Sequence, residues 1–128
     1  MDAKFQQDVG EWVRQCFGDQ VADDRVERAR RMLEEALELA YLCGLRPAEA
    51  HFMVDFTAQR EQERSQQADM ANEVGGLAIT LASLCYTYGI SLDRCARSEL
   101  TRVRQHTEEI GERHLSKPRY GGGAEVGG

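Results

Sequence analysis

Glu34, Glu35 and Glu38 are the residues whose types and spacing could do chemistry. They stand in "RMLEEALELAYLC", Arg31 to Cys43, among Met32, Leu33, Leu37, Leu39 and Leu42. Carboxylates gathered in apolar surroundings are costly unless a cation compensates them. At i and i+3 on a helix, Glu35 and Glu38 can address one ion. Glu73, farther along the chain, can be brought to the same place by a facing helix. An all-oxygen donor set with few histidines suits Mg²⁺ or Mn²⁺ rather than zinc. Mg²⁺ held by carboxylates keeps waters and binds substrate phosphates. The chemistry indicated is therefore that of a phosphate chain. Solvated helix faces also carry glutamates, however. Arg28 and Arg31 can simply pair with Glu35 and its neighbours, for a few tenths of a kcal/mol each.

The elements that must position these acids are helical. Periodicity predicts five helices. The first covers Ala3 to Phe17, with Phe5, Val9, Trp12, Val13 and Cys16 at helical spacing and Gly18 as its stop. The second runs from an Asp24 cap to Cys43, with Gly44 just beyond its end. The third starts at Pro47, suited to a first helical position, and reaches Gln59. "AQREQERSQQAD" reads as a loop or frayed turns. The fourth covers Gln67 to Tyr88, closed by Gly89, and the fifth runs from a Ser91 cap to His114. The fold class is all-α, a small four- or five-helix bundle. Residues 1–115 are expected to form a single helical domain, and 116–128 a disordered glycine-rich tail.

On a helical wheel the second helix places Val26, Ala29, Leu33, Ala36, Leu37 and Ala40 on one face, expected to be core. Arg31, Glu35, Glu38 and Leu42 lie roughly opposite, with Glu34 near the boundary. In the fourth helix Val74, Leu77, Ala78, Leu81, Cys85 and Tyr88 form the expected core face, and Asp69, Glu73, Gly76 and Thr80 an adjacent stripe. Gly75 and Gly76 each lower helix propensity by about 1 kcal/mol relative to alanine. That cost makes sense where something approaches the backbone closely. Trp12 and Phe17 are candidates for stacking on a base, with a core role as the commoner alternative.

Composition narrows the function classes. The chain has 128 residues and a net charge of −6, with 41% hydrophobic and 30% charged residues. That length suits one domain with a substantial core. The acidic balance argues against a nucleic acid polymer as partner. Cys16, Cys43, Cys85 and Cys95 form no CxxC pair and read as small hydrophobes in a reducing compartment. With no signal peptide at its start, the chain is expected to be cytoplasmic. Val74 to Leu92 carries no charge, but its glycines, serines and threonines make it too polar for a confident membrane span. It reads instead as a buried bundle helix. Its apolar or small residues run almost all round, which points to self-association.

"EEALE", Glu34 to Glu38, resembles the EExxE element of the MazG-like all-α nucleoside triphosphate pyrophosphohydrolases. In that family ExxD follows after an intervening helix. Here "EVGG" stands in that place, with Glu73 matching the glutamate and Gly76 standing where the aspartate would be. "LAITLASLCYTYGISLD" resembles the family's next helix and closing turn, so the resemblance runs from about Arg25 to Arg104. It implies a four-helix core assembled as a homodimer or homotetramer. It also implies Mg²⁺-dependent hydrolysis of a nucleoside triphosphate to the monophosphate and pyrophosphate. Glu35, Glu38 and Glu73 would be metal ligands, and Glu34 a ligand or the base that orients water. Arg28 or Arg31 would contact phosphate. Asp69, one turn before Glu73, and Asp55, in "HFMVDF", are the acids that could replace the missing aspartate. Without a replacement, the chain would be a catalytically silent relative that binds nucleotide or a protein partner.

Overall fold

The structure is a computed structural model that describes residues 1–63 and 69–117. Among these residues there are seven helices and no strand, so the chain is all-α as expected. The helices are α1 (Ala3–Phe17), α2 (Asp19–Ala22), α3 (Arg25–Leu42), α4 (Pro47–Glu63), α5 (Met70–Tyr88), α6 (Leu92–Gln105) and α7 (Thr107–His114). The chain divides into two compact units. Of the described residues, one holds Met1–Arg31 and those from Leu92 to Lys117, and the other holds those within Met32–Ser91. The expected tail lies outside the described residues from position 118 on, as does Gln67, the expected start of the fourth helix.

Local chemistry sets most helix ends. Phe5 N–H donates to Asp2 Oδ1 at 2.9 Å, and Glu27 N–H to Asp24 Oδ1 at 3.0 Å, so each aspartate satisfies a donor in a helix's first turn. At the far end of α3, Leu45 N–H reaches Ala40 O at 3.0 Å and Gly44 N–H reaches Tyr41 O at 3.0 Å. The same pair of bonds closes α5, from Ile90 N–H to Cys85 O and from Gly89 N–H to Tyr86 O. This six-to-one, five-to-two pattern needs a left-handed residue, which explains the glycines at both stops (Gly44 φ 105°, Gly89 φ 68°).

The extra helices have physical causes. Gly18 adopts φ 87° and ψ 165°, a region essentially closed to other residues, and this turn starts α2. Arg14 then pairs with Asp19 at 3.1 Å and with Asp23 at 2.6 Å. That ion pair holds the exposed Asp23 carboxyl below its usual range. Gly18→Ala is expected to cost about 1–3 kcal/mol, read as a lower denaturation midpoint with an unchanged slope. The expected fifth helix is instead two, interrupted at His106 (φ −127°, ψ 28°). Thr107 there accepts Trp12 Nε1–H on its hydroxyl at 3.0 Å and the Cys16 thiol on its carbonyl at 3.3 Å. The interruption thus turns Thr107 toward α1.

In the first unit α1 packs against α2, α6 and α7. The approach to α7 is close: a Cβ on Gly111 would stand 3.0 Å from Cys16 O. In the second unit the ends of α3 and α5 meet where the Cys43 thiol, by hydrogen bonding, holds the Tyr88 hydroxyl above its ordinary range. α4 continues to Glu63, past the expected end at Gln59, so the first part of the polar stretch is helix.

Burial departs from the wheel. Val26 and Leu33, expected in the core, are exposed, as are Val74, Leu77 and Tyr88. The face of α3 turned inward begins instead with Glu27, because a carboxylate among cations is held there rather than an apolar residue. Nor is α5 the buried helix its hydropathy suggested: Ile79 is 71% and Tyr86 89% exposed. All four thiols are free, but only Cys85 is buried. Cys16 is half-buried, and Cys43 and Cys95 are exposed.

Candidate functional site

The carboxylates singled out by the sequence lie in the second unit, on α3, α4 and α5 and at the start of α5. Two clefts run beside α5 there. The first, of about 590 Å³, lies between α3 and α5 and is lined by Met32, Leu39, Leu77 and Leu84, with Glu35 and Thr80 as its polar groups. The Thr80 hydroxyl donates to Gly76 O at 2.8 Å, one turn back on its own helix. Glu35 therefore borders a largely apolar space. Glu34, one position earlier on α3, is half-buried, and Glu38 is exposed.

The second cleft, of about 580 Å³, lies between α4 and α5, and Glu73 opens onto it. Met53, Phe56, Thr57, Arg60 and Glu61 complete its lining. The Arg60 guanidinium, which lines the same cleft, stands 5.7 Å over the Phe56 ring. Glu35 and Glu73 thus line different clefts of one unit.

The two acids proposed to replace the missing aspartate are placed otherwise. Asp69 is not on a helical stripe before Glu73. It is the N-cap of α5, and its carboxylate accepts Ala71 N–H at 3.0 Å. A carboxylate committed to an N-cap is held in place by the helix it starts. Asp55 is exposed in the middle of α4 and lines neither cleft. Among the described residues no group of three or more His, Cys, Asp or Glu side chains is arranged to hold a metal ion. Glu35 and Glu38 provide two donors from one helix. The third, on which a Mg²⁺ site depends, is not gathered with them.

Arg28 and Arg31 belong to a different constellation, in the first unit. Both pair with Glu27. Arg31 Nε lies 2.9 Å from Glu27 Oε2, Arg30 Nη1 3.4 Å from Oε1, and Arg28 Nη2 3.8 Å from Oε2. His114 Nε2, from α7, is 3.8 Å from the same oxygen. Glu27 is 4% exposed and His114 5%. The Phe17 ring fills the space beside them, 4.6 Å from the His114 ring and 5.1 Å from the Arg28 guanidinium, with Trp12 edge-on at 5.6 Å. Trp12 and Phe17 are therefore packing residues of this cluster. Burial raises the Cys16 thiol above its usual range, while the nearby Arg28 charge opposes that shift. Sequence reading missed Glu27 altogether. Its only signal was its setting among Arg25, Arg28, Arg30 and Arg31, a dense run of cations around one acid.

No family model matches the chain, and neither a curated protein nor a solved structure matches it. Among the described residues no single helix is long and apolar enough to cross a membrane.

Proposed function

We propose that the chain is a Mg²⁺-dependent nucleoside triphosphate pyrophosphohydrolase that releases the monophosphate and pyrophosphate. The observation that carries this reading is that "EEALE" lies on α3, with Glu35 lining the α3–α5 cleft and Glu73 on α5 of the same unit. That order of acids is the one the resemblance asks for. In this reading Glu35 and Glu38 supply metal-binding oxygens, and Glu34 positions water as a base. The cleft beside Glu35 offers apolar walls to a nucleoside. The ion pairs that Arg28 and Arg31 make with Glu27 leave them structural work, so they are not assigned to phosphate. Cytoplasm is the compartment that goes with this activity and with four free thiols.

A second reading has a specific observation in its favour: Gly76 stands in the aspartate's place, and the described acids form no three-carboxylate set. A catalytically silent helical module that binds nucleotide or a protein would show both features. Product analysis decides between them. The full chain is incubated with canonical and modified NTPs and dNTPs, with Mg²⁺, with Mn²⁺ and with EDTA. Pyrophosphate plus monophosphate, formed only with metal, is the expected result. Orthophosphate plus diphosphate overturns the family assignment, and absence of any turnover favours the silent module.

A further inference from the structure

His114, the last residue of α7, is buried in the first unit. Imidazole is the side chain whose charge ordinarily changes near neutral pH, at about 6.5. A proton on this ring meets one attraction and several repulsions. The attraction is Glu27, whose Oε2 lies 3.8 Å from His114 Nε2. That oxygen is already engaged: Arg31 Nε lies 2.9 Å from it, and Arg28 Nη2 lies 3.8 Å away, as His114 does. Arg30 Nη1 stands 3.4 Å from the other oxygen. Three fixed positive charges therefore share one negative charge. Arg28 and His114 also share the Phe17 ring, at 5.1 Å and 4.6 Å, which puts apolar surface rather than water on that side. Burial and the positive excess both act against a fourth cation.

The acids of the elements around α7 have work elsewhere. On α1, Asp8 pairs with Lys4 and stands 4.0 Å from Arg104 of α6, while Glu11 accepts from Gln7. Cys16, also on α1, donates its thiol proton to Thr107 O. Asp19 and Asp23 take Arg14, and Asp24 accepts the Glu27 N–H. On α6, Asp93 holds Arg97 and Glu99 holds Arg102. On α7 itself, Glu109 pairs with His106, and Glu108, Glu112 and Arg113 are exposed. With only eight residues, α7 depends on its packing to stay helical.

We infer that His114 is a proton-sensitive latch: its neutral ring keeps α7 docked against α1 and Glu27, and a proton on it releases α7. The latch lies wholly in the first unit and is read without substrate or metal, so it stands or falls apart from the hydrolase reading. A group that holds its proton less well folded than unfolded contributes stability above its unfolded pKa. Here that stability is lost as pH falls below about 6.5, with opening favoured by up to about tenfold per pH unit.

Two measurements on the full chain test the latch. In a proton NMR titration the His114 ring, identified by the signal missing from His114→Gln, is expected to titrate below about 6.5. Hydrogen exchange at the Ile110 to His114 amides, corrected for its own pH dependence, is expected to quicken towards about tenfold per unit below about pH 6.5. His114→Gln cannot take the proton and is expected to hold one rate over that range, whereas His106→Gln is expected to follow the wild type. A His114 ring that titrates at about 6.5 or higher in the folded wild type overturns the latch, with no variant needed. So does wild-type exchange that stays level across that range, or a folded His114→Gln protein that quickens as the wild type does.

Discussion

Glu27→Ala is expected to be among the most destabilising single changes available to this protein, at about 3–5 kcal/mol. Three guanidiniums and the His114 ring gather on one carboxylate that is nearly out of solvent. Removing it takes from buried or half-buried positive charge the carboxylate it gathers on, and the cations crowded there then repel one another more strongly. The cavity left by the side chain adds to the cost. A loss of that size corresponds to a fall in melting temperature of about 10–20 °C for a chain of this length. Glu27→Gln keeps the volume and still loses the charge, so it should lie closer to Glu27→Ala than to wild type. Glu49→Ala, which removes an exposed pair with Arg46, should stay within about 0.5 kcal/mol. If Glu27→Ala melts like Glu49→Ala, the cluster is not holding the first unit together.

The second large effect is expected at Glu38. If Glu35 and Glu38 hold a divalent cation, Glu38→Gln removes one ligand charge at nearly constant volume. Activity should fall about 10–100-fold or more. In EDTA the variant should keep or gain stability, because one like-charge repulsion between neighbouring acids is relieved. With millimolar Mg²⁺ or Mn²⁺, the wild type should gain stability as RT ln(1 + [L]/Kd), about 2.7 kcal/mol at a hundredfold excess over Kd. The variant should gain far less. A glutamate on a solvated face behaves differently: stability shifts by about 0.5 kcal/mol at most, and the metal response is untouched. Four melts, two proteins with and without metal, separate the cases. An equal metal shift in both proteins makes "EEALE" ordinary helix surface.

Several elements were legible in the sequence because their causes are local. Gly44 and Gly89 end α3 and α5 through a conformation that glycine adopts freely, and Asp24 and Pro47 mark helix starts through chemistry within one turn. The break at His106 was not legible, since the groups that hold Thr107 lie on α1. Trp12 is 95 positions away from it in sequence. The Glu27 cluster escaped for the same reason: His114 joins it from the far end of the chain. Hydropathy identified α5 as apolar but not whether this chain supplies its cover. At the candidate site, the spacing of Glu35 and Glu38 fixed their neighbourhood on α3. Which further acid could join them depends on how α4 and α5 turn, and that placed Glu73 on another cleft and Asp69 at a helix cap.

The position of Trp12 makes the molecule its own optical probe. It is the chain's single tryptophan, and its indole lies in the first unit, bonded to Thr107 and edge-on to Phe17. Tyr41, Tyr86 and Tyr88 all lie in the second unit. Selective excitation at the red edge therefore reports only the environment around α1 and α7. Circular dichroism in the helix band counts every turn of both units. If the two signals lose amplitude at one temperature, the units melt as one cooperative body. If they separate, the emission trace alone dates the loss of the first unit, with no label added to the chain.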